Sequence, residues 1–142
     1  MRVSGSKSNE GGSLLKLGFP RGPLGDLTPV EIVVPWNLIT GDDCHIADQV
    51  ILYTLGTITL GQRVRIDTRA HLCAGSHDMR DTTFPLVRPP ISIGDNSFIG
   101  VDAYISPNIS LGANTIVHPR ASVYKNYDGD LALQGNPARP IK

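Results

Sequence analysis

Through the middle of the chain, aliphatic residues recur at a fixed step of six: Ile93, Ile99, Ile105, Leu111, Val117 and Val123. Four positions after each of the first five stand Ser97, Ala103, Ile109, Thr115 and Ala121, which are mostly small. The same phase runs upstream at Ile46 and Leu52. After a two-residue slip it resumes at Leu60, Ile66 and Leu72, with Val50, Val64, Ala70 and Ser76 as companions. A helix repeats at 3.6 residues and a half-buried strand at two, so neither explains a step of six. A prism does. Each hexad supplies one short strand and one corner, and three hexads close a triangular coil. Coils then stack at about 4.8 Å through parallel ladders, with the aliphatic residue inward and its small companion near the corner.

The corner residues agree. Three positions after the aliphatic stand Asn96, Asp102, Asn108 and Asn114, types that tolerate left-handed backbone. Gly61, Gly94, Gly100 and Gly112 directly follow their aliphatics and relieve crowding at the turn. An ordinary β-sandwich would place turns every 8 to 12 residues without holding a six-residue phase.

The repeat breaks once. Leu72 and Ile93 are 21 residues apart where one hexad needs six. The excess predicts a loop over about 78–92, with His77 at its root and Pro85, Pro89 and Pro90 towards its end. Repeat folds carry insertions on a functional face. Residues 1–26 read as a flexible N-terminal segment, with one helical turn at Leu14-Leu15-Lys16-Leu17. Residues 27–125 read as the β-helix domain, and residues 126–142 as a C-terminal extension.

Composition narrows the chemistry. Thirteen basic residues balance thirteen acidic ones, so no global field draws the chain to nucleic acid, and a charged ligand must be held by a local cluster. No apolar run is long enough to span a bilayer. The polar, Gly/Ser-rich start lacks the apolar core of a secretory signal. Cys44 and Cys73 make no disulfide framework. The expectation is a cytoplasmic protein. Aromatic residues are scarce at 6%, against 15 Gly and 11 Pro, as a turn-dense repeat fold would require.

Three segments carry a family likeness: Pro35-Trp36-Asn37-Leu38, Leu72-Cys73-Ala74-Gly75-Ser76-His77-Asp78, and Gly135-Asn136-Pro137-Ala138-Arg139. Together they resemble the hexapeptide-repeat acetyltransferases. The nearest branch is the colanic-acid-type exopolysaccharide O-acetyltransferases, related to the maltose, galactoside and nodulation-factor enzymes. The likeness runs from about residue 30 to the end. It implies an all-β, left-handed parallel β-helix that forms a homotrimer with active sites in the clefts between prisms. It also implies acetyl-CoA as co-substrate, a sugar hydroxyl as acceptor, and no metal or tightly bound cofactor.

By position in the family motif, His77 is the general base. A neutral imidazole suits the removal of a hydroxyl proton at neutral pH. The resemblance places the oxyanion donor at the backbone N–H of Val101, and a main-chain donor on a rigid coil needs little reorganisation. It places Lys125, Arg139 and Lys142 along the CoA cleft, where cations pair with phosphate oxygens; their alternative is simple solvation. Phe98 either borders the pantetheine arm or packs at a coil edge. Asp78 orients the imidazole, touches the acceptor or caps the loop turn. Trp36 packs near the N-terminal end of the prism or touches the acceptor. Cys44, at an inward position, reads as core.

Some positions depart from the family. His118-Pro119 replaces a small pair beside the CoA channel. Thr40 stands at an aliphatic position, and His45-Ile46-Ala47 replaces a more usual aromatic-Ile-Gly. The Asn/Asp pair that holds sugar in the maltose and galactoside enzymes has no counterpart around Tyr53-Thr54. These departures motivate a second reading, a trimeric scaffold that has lost acetyl transfer. A third reading is a γ-type carbonic anhydrase, in which three of His45, His71, His77 and His118 would hold zinc across a trimer interface. The closely spaced His pair of that family is missing.

Overall fold

The computed structural model describes residues 30–141 in full and, before them, only the backbone of Arg2–Val3 and Leu17–Gly18. Apart from those two pairs, the N-terminal segment and the turn at Leu14-Leu15-Lys16-Leu17 lie outside the described residues, as does Lys142.

Each wall strand is only two to four residues long, and the three-residue ones show how the step of six arises. Cys44–Ile46, Ile91–Ile93 and Thr115–Val117 each bury their first and third residues and expose the middle one. Two inward side chains, two apart, then need four more positions to pass a corner. The small companion of one hexad is therefore the first inward residue of the next strand, and Ser97, Ala103, Thr115 and Ala121 are all buried there.

The chain winds through about five turns as a left-handed β-helix with three parallel faces. The first face stacks Glu31–Ile32, Ile51–Tyr53, His71–Cys73, Tyr104–Ile105 and Ser122–Val123. The second stacks Leu38–Thr40, Ile58–Leu60, Ile91–Ile93 and Ser110–Leu111. The third stacks Cys44–Ile46, Arg65–Ile66, Phe98–Ile99, Thr115–Val117 and Leu131–Gln134. Like residues align along the axis: Ile32, Leu52, Leu72, Ile105 and Val123 form one inward column. All but the first are fully buried, and each contributes about 1.5–3 kcal/mol by leaving water. Thr40 keeps its aliphatic position in this core, with its hydroxyl buried and unpartnered.

The corners follow the sequence reading and go beyond it. Asn96, Asp102, Asn108 and Asn114 all have positive φ, between 56° and 66°. Gln49, Arg63, Arg69 and Arg120 share that conformation, although their residue types do not favour it. Side-chain ladders between successive coils fix several of these corners. Arg63 Nε donates to Asn96 Oδ1 at 2.7 Å, and Arg69 forks onto Asp102 at 2.9 and 3.1 Å. Gly100 supplies space: a Cβ there would lie 2.7 Å from the backbone nitrogen of Pro119 in the next coil.

Among the described residues, the extra residues leave the prism at one corner, between the first and second faces. The first coil carries a 3-10 turn at Pro35–Asn37, the second its two-residue slip near residues 54–57, and the third the long insertion. Asn37 ties the first two together, its side-chain amide donating to the carbonyls of Thr54 and Leu55 at 3.0 and 3.2 Å. Trp36, His77 and Asp78 lie at this corner.

Candidate active site

The insertion is a β-hairpin rather than an open loop. Ser76–His77 pairs antiparallel with Leu86–Val87, His77 facing Leu86 in register. Ser76 therefore belongs to the hairpin, and the first inward residue of the next strand in this coil is the buried Ile91. The hairpin is anchored on the coil beneath it. Gly56 N–H donates to the carbonyl of Ala74 at 2.6 Å, and a Cβ on Gly56 would meet the carbonyls of Arg88 and Pro89 at 2.6 Å.

Polar side chains shape the tip. Asp78 Oδ1 accepts from the Arg80 backbone N–H at 3.0 Å and from its guanidinium at 3.2 Å, so this carboxylate caps the turn. Asp81 accepts from both the N–H and the hydroxyl of Thr83, which hold its carboxyl below the usual range.

His77 is exposed on this hairpin, and its ring is held from two sides by one residue. The imidazole stacks on Phe84 with centroids 4.4 Å apart and planes 10° apart. Its Nδ1 lies 3.0 Å from the Phe84 carbonyl oxygen. A carbonyl can only accept, so this hydrogen bond requires the proton on Nδ1 and leaves the Nε2 lone pair open. Phe84 itself has φ of 52°, a left-handed conformation costing a bulky residue about 1–3 kcal/mol. No spacing or period marks Phe84 in the sequence. Its one signal is that it is the sole aromatic residue of the insertion.

The remaining candidates are spread over the prism. Trp36 lies on the same corner as His77, two coils towards the N-terminal end, and is 71% exposed. It does not pack into its own prism. Val101 lies at a different corner, between the third and first faces. Its carbonyl accepts from Arg120 N–H at 2.8 Å, while its own N–H has no acceptor among the described residues. Phe98 points outward from the third face, half-buried, between Arg65 and Ile116. Lys125 is exposed just after Ser122–Val123, and Arg139 is exposed on the returning strand Arg139–Ile141.

The Gly135–Arg139 motif crosses the C-terminal end of the prism. Ser122 N–H donates to the Gly135 carbonyl at 3.0 Å and Ala138 N–H to the Ser122 carbonyl at 2.8 Å, while Tyr127 Oη donates to the Ala138 carbonyl at 3.1 Å. The buried Ala138 thus closes over the last coil. One prism does not bring His77 and Val101 together.

The four histidines are equally dispersed. His45 stands on the third face, His71 on the first, His77 on the hairpin and His118 next to a corner. Among the described residues no three His, Cys, Asp or Glu side chains gather into a group that could hold a metal. His71 is half-buried, edge-on to Tyr104 with ring centroids 5.5 Å apart, and burial lowers its pKa. Tyr104 is pushed up to about 12, chiefly by burial and then by the neighbouring Cys73 thiol. Cys44 is fully buried, with its thiol pushed up by burial and directed at the Gly61 carbonyl. Among the described residues no helix is long and apolar enough to cross a membrane.

Fold and repeat define a hexapeptide-repeat β-helix protein. Residues 90–125 match the model of the bacterial transferase hexapeptide (six repeats). The chain is also 38% identical over 113 residues to the protein named "Putative colanic acid biosynthesis acetyltransferase WcaF" of Escherichia coli, covering 80% of this chain and 62% of that one. Thus the chain spans about three fifths of that relative's length. Among solved structures, a hexapeptide-repeat containing acetyltransferase from Vibrio cholerae superposes with a TM-score of 0.71 at 26% identity, covering 75% of this chain and 62% of that one. A second structure of that protein is a complex with acetyl coenzyme A. A maltose O-acetyltransferase from Clostridium difficile gives a TM-score of 0.75 at 24% identity, covering 80% and 63%. The chain resembles the hexapeptide-repeat acetyltransferases, as its motifs imply.

Proposed function

We propose that this chain is a cytoplasmic O-acetyltransferase that moves an acetyl group from acetyl-CoA to a hydroxyl of a sugar or polysaccharide precursor. It works as a homotrimer with His77 as general base. The observation that carries this reading is the exposed His77 ring stacked on Phe84 with Nδ1 3.0 Å from the Phe84 carbonyl oxygen, an arrangement that suits a proton on Nδ1 and an open Nε2. Named acetyltransferases among its relatives, and acetyl coenzyme A bound to one protein of this fold, support the donor.

The hydroxyl attacks the thioester carbonyl carbon as its proton passes to His77 Nε2. A C–O bond forms, and the carbonyl becomes an oxyanion held by the Val101 N–H of a neighbouring subunit. Collapse breaks the C–S bond, and the imidazolium returns the proton to the departing CoA sulfur. The products are an O-acetyl ester and the CoA thiol. A positioned base contributes about 10²–10⁴-fold, and a preorganised backbone donor adds electrostatic stabilisation without reorganisation. Pairing His77 with Val101 requires two copies, because the two corners diverge within one prism. In this reading Lys125, Arg139 and Lys142 meet CoA phosphates, Phe98 borders the pantetheine arm, and Trp36 and Asp78 border the acceptor.

The test is thiol release from acetyl-CoA by purified protein with a panel of sugars. Release that depends on the acceptor is the expected result. Silence with every acceptor would favour the scaffold reading, which the bulky His118-Pro119 pair at the Val101 corner motivates.

A further inference from the structure

We propose that the acceptor is an extended saccharide of at least two rings, whose far end stacks on Trp36 while His77 takes the proton from the ring being acetylated. This rests on the acetyl-transfer reading above and names the size and shape of its acceptor.

Trp36 is the only tryptophan of the chain, and such side chains are mostly withdrawn from water. Here 71% of it is exposed. Val33, directly after Glu31–Ile32, and Ile39, outward on the second face, are exposed on either side of it. No described residue makes a ring contact or side-chain hydrogen bond with the indole. Apolar surface gathered in this way marks a contact site. Strand Arg2–Val3 pairs onto Cys44–Ile46 on the third face, across the prism from this corner.

The mount is rigid. Trp36 is the middle residue of the 3-10 turn Pro35–Asn37, which is clipped to the next coil on both sides. Before it, Thr54 Oγ1 accepts from the Val34 N–H at 2.8 Å and donates to the Val34 carbonyl at 3.0 Å. After it, the Asn37 amide donates to the carbonyls of Thr54 and Leu55. An aromatic plane already fixed in place loses little freedom when a ligand settles on it.

Position selects the ligand. Trp36 and the root of the His77 hairpin occupy one corner, two coils apart, so roughly 10 Å of prism lies between them. The strip between is largely apolar. Tyr53 and Leu55 are half-buried there, and a Cβ on Gly75 would lie 2.8 Å from the Tyr53 ring and 3.0 Å from Leu55 Cδ1. One pyranose ring is too short to reach from the indole to the imidazole, whereas two or more joined rings span the strip. A pyranose also offers a face of C–H groups to an aromatic plane and hydroxyls at its edge, and the base needs a hydroxyl.

As the sole tryptophan, Trp36 reports on its own surroundings. The full chain is titrated with glucose, maltose and maltotriose, without acetyl-CoA, while acrylamide quenching of the tryptophan emission is followed. Quenching should be efficient without sugar; maltotriose should protect the indole and glucose should not. In the transfer assay, KM should fall from glucose to maltotriose by about 3- to 10-fold, the range expected of one aromatic contact. Trp36→Ala should erase this dependence on length and Trp36→Phe should keep part of it, both with the wild-type thermal midpoint. Emission already shielded from acrylamide before sugar is added means that protein covers Trp36, and overturns the proposal. Equal protection by glucose and maltotriose, protection by none of the three, or a Trp36→Ala enzyme with its length dependence intact overturns it as well. Protection by maltotriose without thiol release from any of the sugars overturns the acetyl-transfer reading instead and leaves the saccharide site standing.

Discussion

Ile99 and Ile105 are fully buried and sit in a strict step of six, whereas Met79, Phe84 and Leu86 are 81%, 51% and 42% exposed in a segment with no step at all. The coils derive their order from one another: each strand pairs with the strands one turn earlier and later, and burial enforces the register. The hairpin buries almost nothing. Its order comes from two ladder pairs, capped turns and the contact of Gly56 with its base. Repetition builds a rigid column, and the interruption carries His77, the proposed base, beyond it. Stability and chemistry should therefore respond to different residues.

The sharpest way to break that division is His77→Ala. Turnover should fall by about 10²–10⁴-fold, while the thermal midpoint and the β signature in circular dichroism stay at wild-type values, because the side chain is exposed. The converse substitution is Ile105→Ala in the first-face column. It should cost about 2–5 kcal/mol in denaturant unfolding, with the specific activity of the remaining folded protein nearly unchanged.

Phe84→Ala tests the hairpin more finely. Losing the stacked ring removes about 0.5–1.5 kcal/mol of aromatic contact, which corresponds to a turnover lower by roughly 3- to 10-fold. The backbone carbonyl that faces His77 Nδ1 is retained, so the loss should stay well short of that in His77→Ala. The smallest effect lies on the first face. His71 has a folded pKa below its unfolded value because burial disfavours the charged ring. The unfolded chain therefore binds the proton first, and the stabilising contribution of His71 is full above the unfolded pKa and fades as pH falls towards the folded one. Thermal midpoints measured from pH 7.5 to 5 should decline, and less steeply in His71→Gln.

The same division explains what the sequence revealed. The wall was legible because burial alternates with the corners at a fixed count, and that count survives any choice of aliphatic residue. Corners at Asn96, Asp102, Asn108 and Asn114 were legible from residue type. Those at Gln49, Arg63, Arg69 and Arg120 were not, because local propensity there is overridden by the neighbouring coil, through ladders such as Arg69–Asp102. His77 stood out through the motif around it and the insertion it opens. Phe84 did not, since its role depends on a left-handed backbone that no bulky residue advertises. The strands at Ser76–His77 and Leu86–Val87 are two residues each, the second directly after Pro85, and too short to carry a period. The fourth companion of the upstream hexads was misplaced at Ser76 for the same reason: the chain leaves the prism after Ala74.

The most direct measurement concerns the division of the site between copies. Two variants, His77→Ala and Val101→Pro, are coexpressed and the mixed assembly is assayed. Proline suits the Val101 turn, because Pro119 occupies the matching position one coil later, and it removes the N–H. Each variant alone should be nearly inactive, and random mixing in a trimer should restore about a quarter of the sites, each built from the intact His77 of one copy and the intact Val101 of the next. A mixture no more active than its parents, or a Val101→Pro enzyme that retains full turnover, would contradict a site shared across the seam.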